Sequence, residues 1–203
     1  MNSKSSIRQE IRAQRRQLPE LDRLYAASAV LTQLRRIPVF LKARNISVYL
    51  ANDGELSLDQ VVDSIWQRKK RAYLPVLFGR KSRIMHFARF HEKTIFKLNR
   101  FGILEPNIKI KRQLKPHQLD LVLMPLVAFD INGNRIGMGG GFYDKTFSYL
   151  RNRNSWRKPK LIGIAYDFQE VESLPDDPWD IPLDFIVTES RSIKVDKKQC
   201  SIG

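Results

Sequence analysis

The chain of 203 residues contains one cysteine, Cys200, which lies in a polar tail and which we interpret as an inert residue. A single cysteine excludes an internal disulfide and a cysteine-based zinc site, and it fits a reducing compartment, the cytoplasm. The three histidines, His86, His91 and His117, show no spacing typical of metal ligands. No Ser/His/Asp or Cys/His nucleophile is evident either, so the sequence gives no sign of covalent hydrolytic chemistry.

Long apolar runs are also missing. No run approaches the roughly 20 residues that a membrane-spanning helix needs, so we expect no membrane association. Residues 1–18 are rich in arginine, are interrupted by Glu10 and lack an apolar core, which argues against a secretory signal. Their arginine and serine content leaves a transit peptide open, but the segment also fits the first helix of a fold.

Negative charge is scarce. The chain has 36 lysines and arginines against 21 acidic residues, which gives a net charge of +15. Three interpretations stay open: a nucleic-acid partner, a polyanionic small substrate such as ATP or a polyglutamylated cofactor, and a solvated basic surface with no partner. Charge alone does not choose among them.

Apolar periodicity predicts a helix over residues 4–18 with Ser6 and Gln9 as its capping box, and a second helix from Glu20 to before Pro38. A third helix is predicted to open at a capping box of Ser57 and Gln60. Short β-rich runs predict strands over residues 46–51, 72–77, 84–90, 119–129, 161–165 and 185–187, with a turn over residues 79–83. Residues 92–118 are irregular and basic, and they predict a loop or lid.

The alternation of strands and helices predicts one domain over residues 1–190. We expect a Rossmann-like, single-domain three-layer α/β/α sandwich with a mostly parallel central sheet. The run over residues 119–129 is almost continuously apolar, as a central strand covered on both faces requires. Residues 191–203 are polar and predict a poorly ordered tail.

A glycine cluster follows the predicted central strand. Gly137, Gly139, Gly140 and Gly141 stand between that strand and a predicted helix over residues 142–150. Missing Cβ atoms let backbone N–H groups approach anionic oxygens, so such a loop favours phosphate binding. It is not a P-loop, because Gly-Lys-Ser/Thr is absent, and Phe142 replaces the third glycine of a dinucleotide fingerprint.

The residues that flank the loop add chemistry to it. Arg135 can stabilise charge on a transferring phosphoryl group, and Asp144 can hold Mg²⁺. The simpler alternatives are a surface charge at Arg135 and a residue that interacts with the helix dipole at Asp144.

Three segments resemble the 5-formyltetrahydrofolate cyclo-ligase family: residues 123–130, residues 133–144 and residues 183–189. The opening helix, with Lys4 and Arg8, and residues 163–169 with Leu174 and Pro175 continue the likeness. The resemblance runs in order from about residue 4 to 189, and residues 123–144 are its most specific part.

The resemblance implies ATP-driven closure of 5-formyltetrahydrofolate to 5,10-methenyltetrahydrofolate, with Mg²⁺ and with Arg135 and Tyr143 as catalytic residues. It implies that ATP is bound by Lys4, Arg8, Arg135, Ile136, Gly137, Met138, Gly139, Gly140, Gly141, Phe142 and Tyr143, with Arg12 as a weaker candidate. It implies that the folate is bound by Leu50, Glu55, Met138, Gly139, Gly140, Gly141 and Phe142. Asp144 would hold the metal together with a second acid, Asp180 or Asp184.

Two positions depart from the family pattern. Trp179 precedes Asp180 where family members commonly have histidine, and Phe142 stands where tyrosine is frequent. We expect a monomer that acts on a reduced folate, including its polyglutamylated forms. The alternatives are a basic nucleic-acid-binding protein, and a kinase or ligase that acts on another small molecule.

Overall fold

The computed structural model describes residues 3–79, 82–109, 112–152, 158–175 and 177–196, with the side chain of Asn152 excepted. The helices are α1 Lys4–Gln17, α2 Glu20–Leu34, α3 Pro38–Lys42, α4 Asp59–Gln67 and α5 Phe142–Thr146. The strands are β1 Asn45–Ser47, β2 Arg71–Leu77, β3 Met85–Phe90, β4 Phe96–Leu98, β5 Leu104–Pro106, β6 Leu121–Pro125, β7 Ala128–Phe129, β8 Arg135–Ile136, β9 Lys160–Ile164, β10 Phe185–Val187 and β11 Ser192–Lys194.

A seven-stranded sheet forms the centre of the protein, in the order β11-β10-β9-β6-β1-β2-β3. The five inner strands are parallel, and Ile46 of β1 stands opposite Ala72 on one side and Leu121 on the other. The two edge strands, β3 and β11, pair antiparallel to their neighbours. The mostly parallel α/β sheet predicted from the sequence is therefore confirmed.

The two faces of the sheet carry separate cores. Leu121 and Leu123 of β6 pack with the apolar sides of α2 and α4, whereas Val122 and Met124 pack with Phe147 and the segment that follows α5. Side chains alternate along a strand, so a strand that is buried on both faces is apolar throughout. A third, smaller cluster seats Ile11 of α1 against β7 and β8. Among the described residues, no helix is long and apolar enough to cross a membrane.

Several predicted boundaries are wrong, each for a local reason. The predicted strand over residues 119–129 is divided, because Gln169 Nε2 donates to the carbonyls of both Leu126 and Val127 at 2.8 Å. The carbonyls of these two residues are therefore used outside the main sheet, and β7 pairs with β8 instead. The predicted strand over residues 46–51 ends at Ser47.

The helix caps also differ from the predictions. Ser3, not Ser6, caps α1, because the Ser3 hydroxyl accepts a hydrogen bond from the amide of Ser6 at 3.2 Å. Ser57 accepts from the amide of Asp59 at 3.1 Å, and α4 begins only there. The helix predicted over residues 142–150 is a short α-helix, α5, followed by a 3₁₀ turn, Ser148–Asn152.

Two segments are more regular than the sequence predicts. Residues 92–118 contain the antiparallel hairpin β4–β5 and the 3₁₀ turn Pro116–Gln118. The expectation of a disordered tail is wrong for Ser192–Lys194, which forms β11 against β10. The rest of that tail, including Cys200, and part of the predicted turn over residues 79–83 lie outside the described residues.

Gly163 in β9 leaves no room for a side chain. A Cβ atom there would lie 2.6 Å from Leu183 Cδ1 and 2.7 Å from Leu126 Cδ2, and both leucines are buried. We expect Gly163→Ala to lower the free energy of unfolding by roughly 1–3 kcal/mol through overpacking. Thermal unfolding followed by circular dichroism measures the loss. Gly137→Ala is the matched control, since a Cβ there meets nothing within 4 Å; equal melting temperatures in both variants would contradict the packing argument.

Candidate functional site

A cavity of about 850 Å³ opens at the carboxyl ends of β1, β2 and β6. From β1 the chain continues to β2 and β3 on one side of the sheet, whereas β6, β9 and β10 lie on the other side. In open α/β sheets, ligands bind at the point where the strand order reverses in this way. The topology therefore places a ligand site here before any side chain is considered.

The cavity brings the candidate residues of the sequence together. Fifteen of them line it: Lys4, Arg8, Leu50, Glu55, Arg135, Ile136, Gly137, Met138, Gly139, Gly140, Gly141, Phe142, Tyr143, Asp144 and Asp180. They come from α1, the segment after β1, the stretch from β8 through the glycine loop into α5, and the segment before β10. Arg12, the weaker candidate, is instead bound to Asp53, with 2.6 Å between Nε and Oδ2.

A buried carboxylate, Asp130, fixes the turn that precedes the glycine loop. Asp130 is fully buried and accepts hydrogen bonds from the amides of Asn132 and Asn134 and from the Asn134 side chain. These bonds fix the β7–β8 turn that leads into the loop. Gly139 adopts a φ of 96°, which side-chain-bearing residues rarely adopt. Among the described residues, none accepts a hydrogen bond from the amides of residues 137–141, so these amides remain available to an anion.

Arg135 and Asp144 form an ion pair at the loop. Arg135 Nη2 lies 2.6 Å from Asp144 Oδ1, and Arg135 Nη1 donates to the carbonyl of Ile181. The amide of Ile181 also donates to Asp144 Oδ1 at 3.2 Å. The Arg135 side chain is only 7% exposed, so its guanidinium is oriented before any ligand arrives. Groups oriented in advance need little rearrangement when charge develops nearby.

The first helix brings two cations to the same end of the cavity. Lys4 Nζ lies 2.7 Å from Asp177 Oδ2 and 3.4 Å from Asp180 Oδ2. The hydrogen bond to Asp177 raises the pKa of Lys4, so the ammonium stays charged. Arg8 Nε donates to the carbonyl of Gly137 at 2.8 Å, which joins α1 directly to the glycine loop.

The acidic residues at this end could help to bind a metal, although they do not form a complete metal cage. In the part of the chain that the structure describes, no three carboxylate, histidine or cysteine side chains are grouped as a metal cage. Mg²⁺ nevertheless keeps several waters and often uses only one or two carboxylates plus substrate phosphates. The hydrogen bonds that Asp144 accepts from described residues all go to Oδ1, so Oδ2 remains available. The residues present therefore fit a metal that enters together with phosphate.

The two candidates for the second metal ligand, Asp180 and Asp184, differ in their position relative to the cavity. Asp180 lines the cavity. Asp184 is buried beside β9, where it accepts from the amide of Leu161 at 2.9 Å and pairs with Lys160 at 3.1 Å. Asp184 does not line the cavity, which favours Asp180 as the second ligand, and its contacts instead link β9 to the start of β10.

The part of the cavity wall that follows β1 carries a half-buried acid, Glu55. Its Oε2 accepts from the amide of Asn52 at 3.1 Å, and burial raises the pKa of this carboxyl. The phenols of Tyr49 and Tyr143 lie close enough that burial first, and then the negative charge of Glu55, raise the pKa of each. Tyr49 donates to the carbonyl of Leu56 at 2.7 Å. This wall can therefore bind a flat ligand that presents hydrogen-bond donors.

The hairpin β4–β5 contributes residues that the sequence analysis missed. Phe101 lines the cavity while 56% exposed, and its ring meets that of Phe142 edge to face, with 5.6 Å between centroids. Arg100 lies over the Phe101 ring at 5.0 Å. Asp177 and Trp179 also line the cavity. The available signal for Phe101 was that Ile103 and Leu104 follow it closely, which forms an apolar group in a segment interpreted as a basic loop.

Comparison with known proteins gives a consistent result over most of the chain. A sequence model of the 5-formyltetrahydrofolate cyclo-ligase family matches residues 1–189. The 5-formyltetrahydrofolate cyclo-ligase of Haemophilus influenzae is 39% identical over 180 residues, covering 89% of this chain and 94% of that protein. The enzyme of the same name from Escherichia coli is 38% identical over 181 residues, covering 89% and 97%.

Solved structures agree with the sequence relatives. The NMR structure of 5,10-methenyltetrahydrofolate synthetase from Aquifex aeolicus has a TM-score of 0.78 at 30% identity, covering 98% of this chain and 96% of that one. A 5,10-methenyltetrahydrofolate synthetase from Mycoplasma pneumoniae has a TM-score of 0.71 at 25% identity, covering 93% and 99%. On the strength of these matches and of the cavity that gathers the family's motif residues, the chain belongs to the 5-formyltetrahydrofolate cyclo-ligase family.

Proposed function

We propose that this chain uses ATP to close 5-formyltetrahydrofolate to 5,10-methenyltetrahydrofolate, with release of ADP and phosphate. The observation that carries the proposal is that one cavity is lined by two chemically different sets of groups. The phosphate wall consists of loop amides that no described residue pairs with and of the cations Lys4, Arg8 and Arg135, and the folate wall consists of Glu55 with aromatic and apolar side chains. A nucleotide phosphate and a folate ring can therefore meet in a single site.

The chemistry explains why both substrates must meet. The formyl oxygen on N5 is a poor leaving group, so it has to be activated before the ring can close. That oxygen attacks the γ-phosphorus of ATP, an O–P bond forms and ADP leaves. N10 then attacks the formyl carbon and loses its proton, and the C–O bond breaks to release phosphate. Phosphoryl transfer of this kind depends mainly on positioning and on neutralising charge.

The residues of the phosphate wall have separable roles. The amides of residues 137–141 would bind phosphate oxygens, while Arg135 would neutralise charge on the transferred group. Lys4 would have to leave Asp177 and Asp180 to reach the phosphates, since its ammonium is paired with both in the free protein. Tyr143, which lines the cavity and is half-buried, would separate the two substrates from bulk water.

A divalent metal, Mg²⁺, would bind to Asp144 and Asp180. When bound together with ATP, it would supply additional positive charge to the β- and γ-phosphates. Before it arrives, Arg135 and Lys4 neutralise these two carboxylates. Binding of the metal and movement of Lys4 toward phosphate would therefore occur together.

The folate wall gives a prediction with a pH dependence. Glu55→Gln removes a charged acceptor, so we expect the KM for 5-formyltetrahydrofolate to rise roughly tenfold to a hundredfold, which corresponds to about 1.5–3 kcal/mol, with a smaller change in kcat. Burial raises the pKa of Glu55, and the ionised form is the one that accepts. In the unchanged protein kcat/KM for folate should therefore rise with pH through that raised pKa. Steady-state kinetics across pH measure both effects.

The Gln variant also supplies the control for the pH effect. Its kcat/KM for folate should lose the Glu55-dependent rise, because glutamine does not titrate. An unchanged pH profile in the variant would show that another group causes the dependence.

Phosphate release tests the proposed function against its rivals. We expect ATP turnover to require 5-formyltetrahydrofolate and to produce methenyltetrahydrofolate in equal amounts. ATP turnover that ignores this folate would favour a kinase or ligase acting on another small molecule. Salt-dependent binding to mixed oligonucleotides without ATP turnover would favour the nucleic-acid alternative, which the family membership does not support.

Three further expectations extend the proposal. The basic charge of +15 would attract anionic substrates, including folates with a polyglutamate tail. A monomeric state and a cytoplasmic location stay predictions from the sequence. Light scattering tests the first, and fractionation of the source cells tests the second.

A further inference from the structure

Arg15 is a charged residue buried beneath the cavity. Its side chain is 1% exposed, which makes it one of the largest fully buried side chains among the described residues. Burial of an arginine carries a large cost in lost hydration unless partners compensate. Arg15 does not line the cavity, so neither proposed substrate would compensate for that cost.

The partners of Arg15 come from two segments outside its own helix. Its Nε donates to the carbonyl of Asp53 at 2.8 Å, and its Nη2 lies 3.1 Å from Asp53 Oδ2. Its Nη1 donates to the carbonyl of Leu126 at 3.4 Å. One planar guanidinium thus joins α1, the turn of residues 52–55 and the end of β6. Helix α1 carries Lys4 and Arg8, and the turn carries Glu55. The end of β6 leads into the β7–β8 hairpin that precedes the glycine loop.

The backbone around this contact is tightly fitted. Asp53 adopts a φ of 53°, which is uncommon for a residue with a side chain. A Cβ atom on Gly54 would lie 2.9 Å from the carbonyl oxygen of Arg15, so the turn packs directly on α1. Strained backbone persists only where its surroundings hold it in place, and such strain is frequent near functional sites.

The same turn ends at Glu55. The Glu55 carboxylate accepts from the amide of Asn52, so its orientation follows from the turn that Arg15 fixes. Arg15 also acts on Glu55 through its charge. Burial raises the pKa of Glu55, and the positive charge of Arg15 opposes that effect and favours the ionised carboxylate.

We propose that Arg15 is a positioning residue for the folate half of the reaction. It sets the 52–55 turn, and with it Glu55, at a fixed place relative to the glycine loop, and it touches neither substrate. This inference rests on the proposed function, because it assigns folate recognition to Glu55. This role explains why a charged side chain is buried at this position. An apolar side chain would fill the same space without a desolvation cost, but it would not make these hydrogen bonds.

The test compares Arg15→Met with Arg16→Met in the full chain. Arg16 also contacts Asp53, with 2.5 Å between Nη2 and Oδ1, but its side chain is 57% exposed. We expect Arg15→Met to raise the KM for 5-formyltetrahydrofolate by roughly tenfold or more while the KM for ATP changes less than about threefold. Arg16→Met should change both constants less than about threefold, as surface ion pairs contribute little.

Two further variants exclude a purely structural role. Arg15→Lys keeps the charge and should recover part of the lost folate affinity. Combining Arg15→Met with Glu55→Gln should raise the folate KM no further than the worse single variant, because both changes remove the same interaction. If Arg15→Met does not fold, the split between the two KM values is measured on Arg15→Lys, where we expect the same direction at smaller size.

The outcomes separate this inference from the proposed function. Equal increases in both KM values, independent effects in the double variant, or an equal effect of Arg16→Met would overturn the role of Arg15. Absence of ATP-dependent methenyl formation by the unchanged chain would instead contradict the proposed function. In that case, isothermal titration with 5-formyltetrahydrofolate alone tests Arg15: weaker binding by Arg15→Met supports it, and equal binding by both proteins overturns it.

Discussion

We expect Arg135→Ala to lower kcat/KM for ATP-dependent cyclisation by roughly a thousandfold or more. The expected loss is that of an arginine that neutralises charge on a transferring phosphoryl group. Arg135 is oriented for this task by Asp144 and by the carbonyl of Ile181, and its side chain is almost fully buried. Absorbance of the methenyl product measures the rate, and circular dichroism verifies that the variant is folded.

Arg151→Ala is the matched control for Arg135. Arg151 also lines the cavity, but its guanidinium donates to the carbonyl of Trp179 on the exposed side. We expect less than a tenfold change from its loss. If both alanine variants lost activity equally, the general positive charge of the cavity would explain the effect and the specific role of Arg135 would be wrong.

Asp144→Ala should reduce turnover by roughly a hundredfold to a thousandfold and raise the Mg²⁺ concentration needed for half-maximal rate. The change removes the carboxylate that would hold the metal and also frees Arg135 from its partner. Because the two residues act as a unit, the variant that lacks both should be about as slow as the worse single variant. Steady-state kinetics over a range of Mg²⁺ concentrations measure these effects.

Asp184→Asn is the control that separates the two acids that the sequence left open. Asp184 holds the amide of Leu161 and the ammonium of Lys160, away from the cavity. We expect a lower melting temperature and nearly unchanged turnover per folded molecule. A loss of activity as large as that of Asp144→Ala, together with a raised Mg²⁺ requirement, would contradict the placement of the metal at Asp144 and Asp180.

The sequence predicted best where chemistry and local pattern agree. The apolar run that contains β6 and the glycines after it were sufficient to expect a phosphate site at the end of a central strand. Periodicity likewise predicted α1 and α2 within a few residues. These features depend on neighbours in the chain, so they are visible in one sequence.

Features that depend on residues far apart in the sequence could not be predicted from local patterns. Gln169 divides the apolar run at Leu126, and Lys4 finds Asp177 across 173 positions of sequence. The burial of Arg15 could not be inferred either, because an arginine among other arginines on a helix indicates a solvated face. Such contacts become evident only when the fold brings the partners together.

The folate half of the site contains one residue that was found only through the family resemblance and one that was missed. Glu55 was a candidate only through the family resemblance, whereas the structure gives it a half-buried setting beside two tyrosines. Phe101 was missed, because the β4–β5 hairpin that carries it has strands of three residues. Strands this short leave little periodicity to detect.

The central claim is that the formyl oxygen of the folate attacks the γ-phosphorus of ATP within this cavity. The most direct test uses 5-formyltetrahydrofolate with oxygen-18 in the formyl group and follows the label by mass spectrometry during one turnover. Phosphorylation of the formyl oxygen predicts that the released phosphate carries the label, since the C–O bond breaks when the ring closes. Unlabelled phosphate formed together with methenyltetrahydrofolate would contradict this mechanism and show that ATP is hydrolysed by water instead.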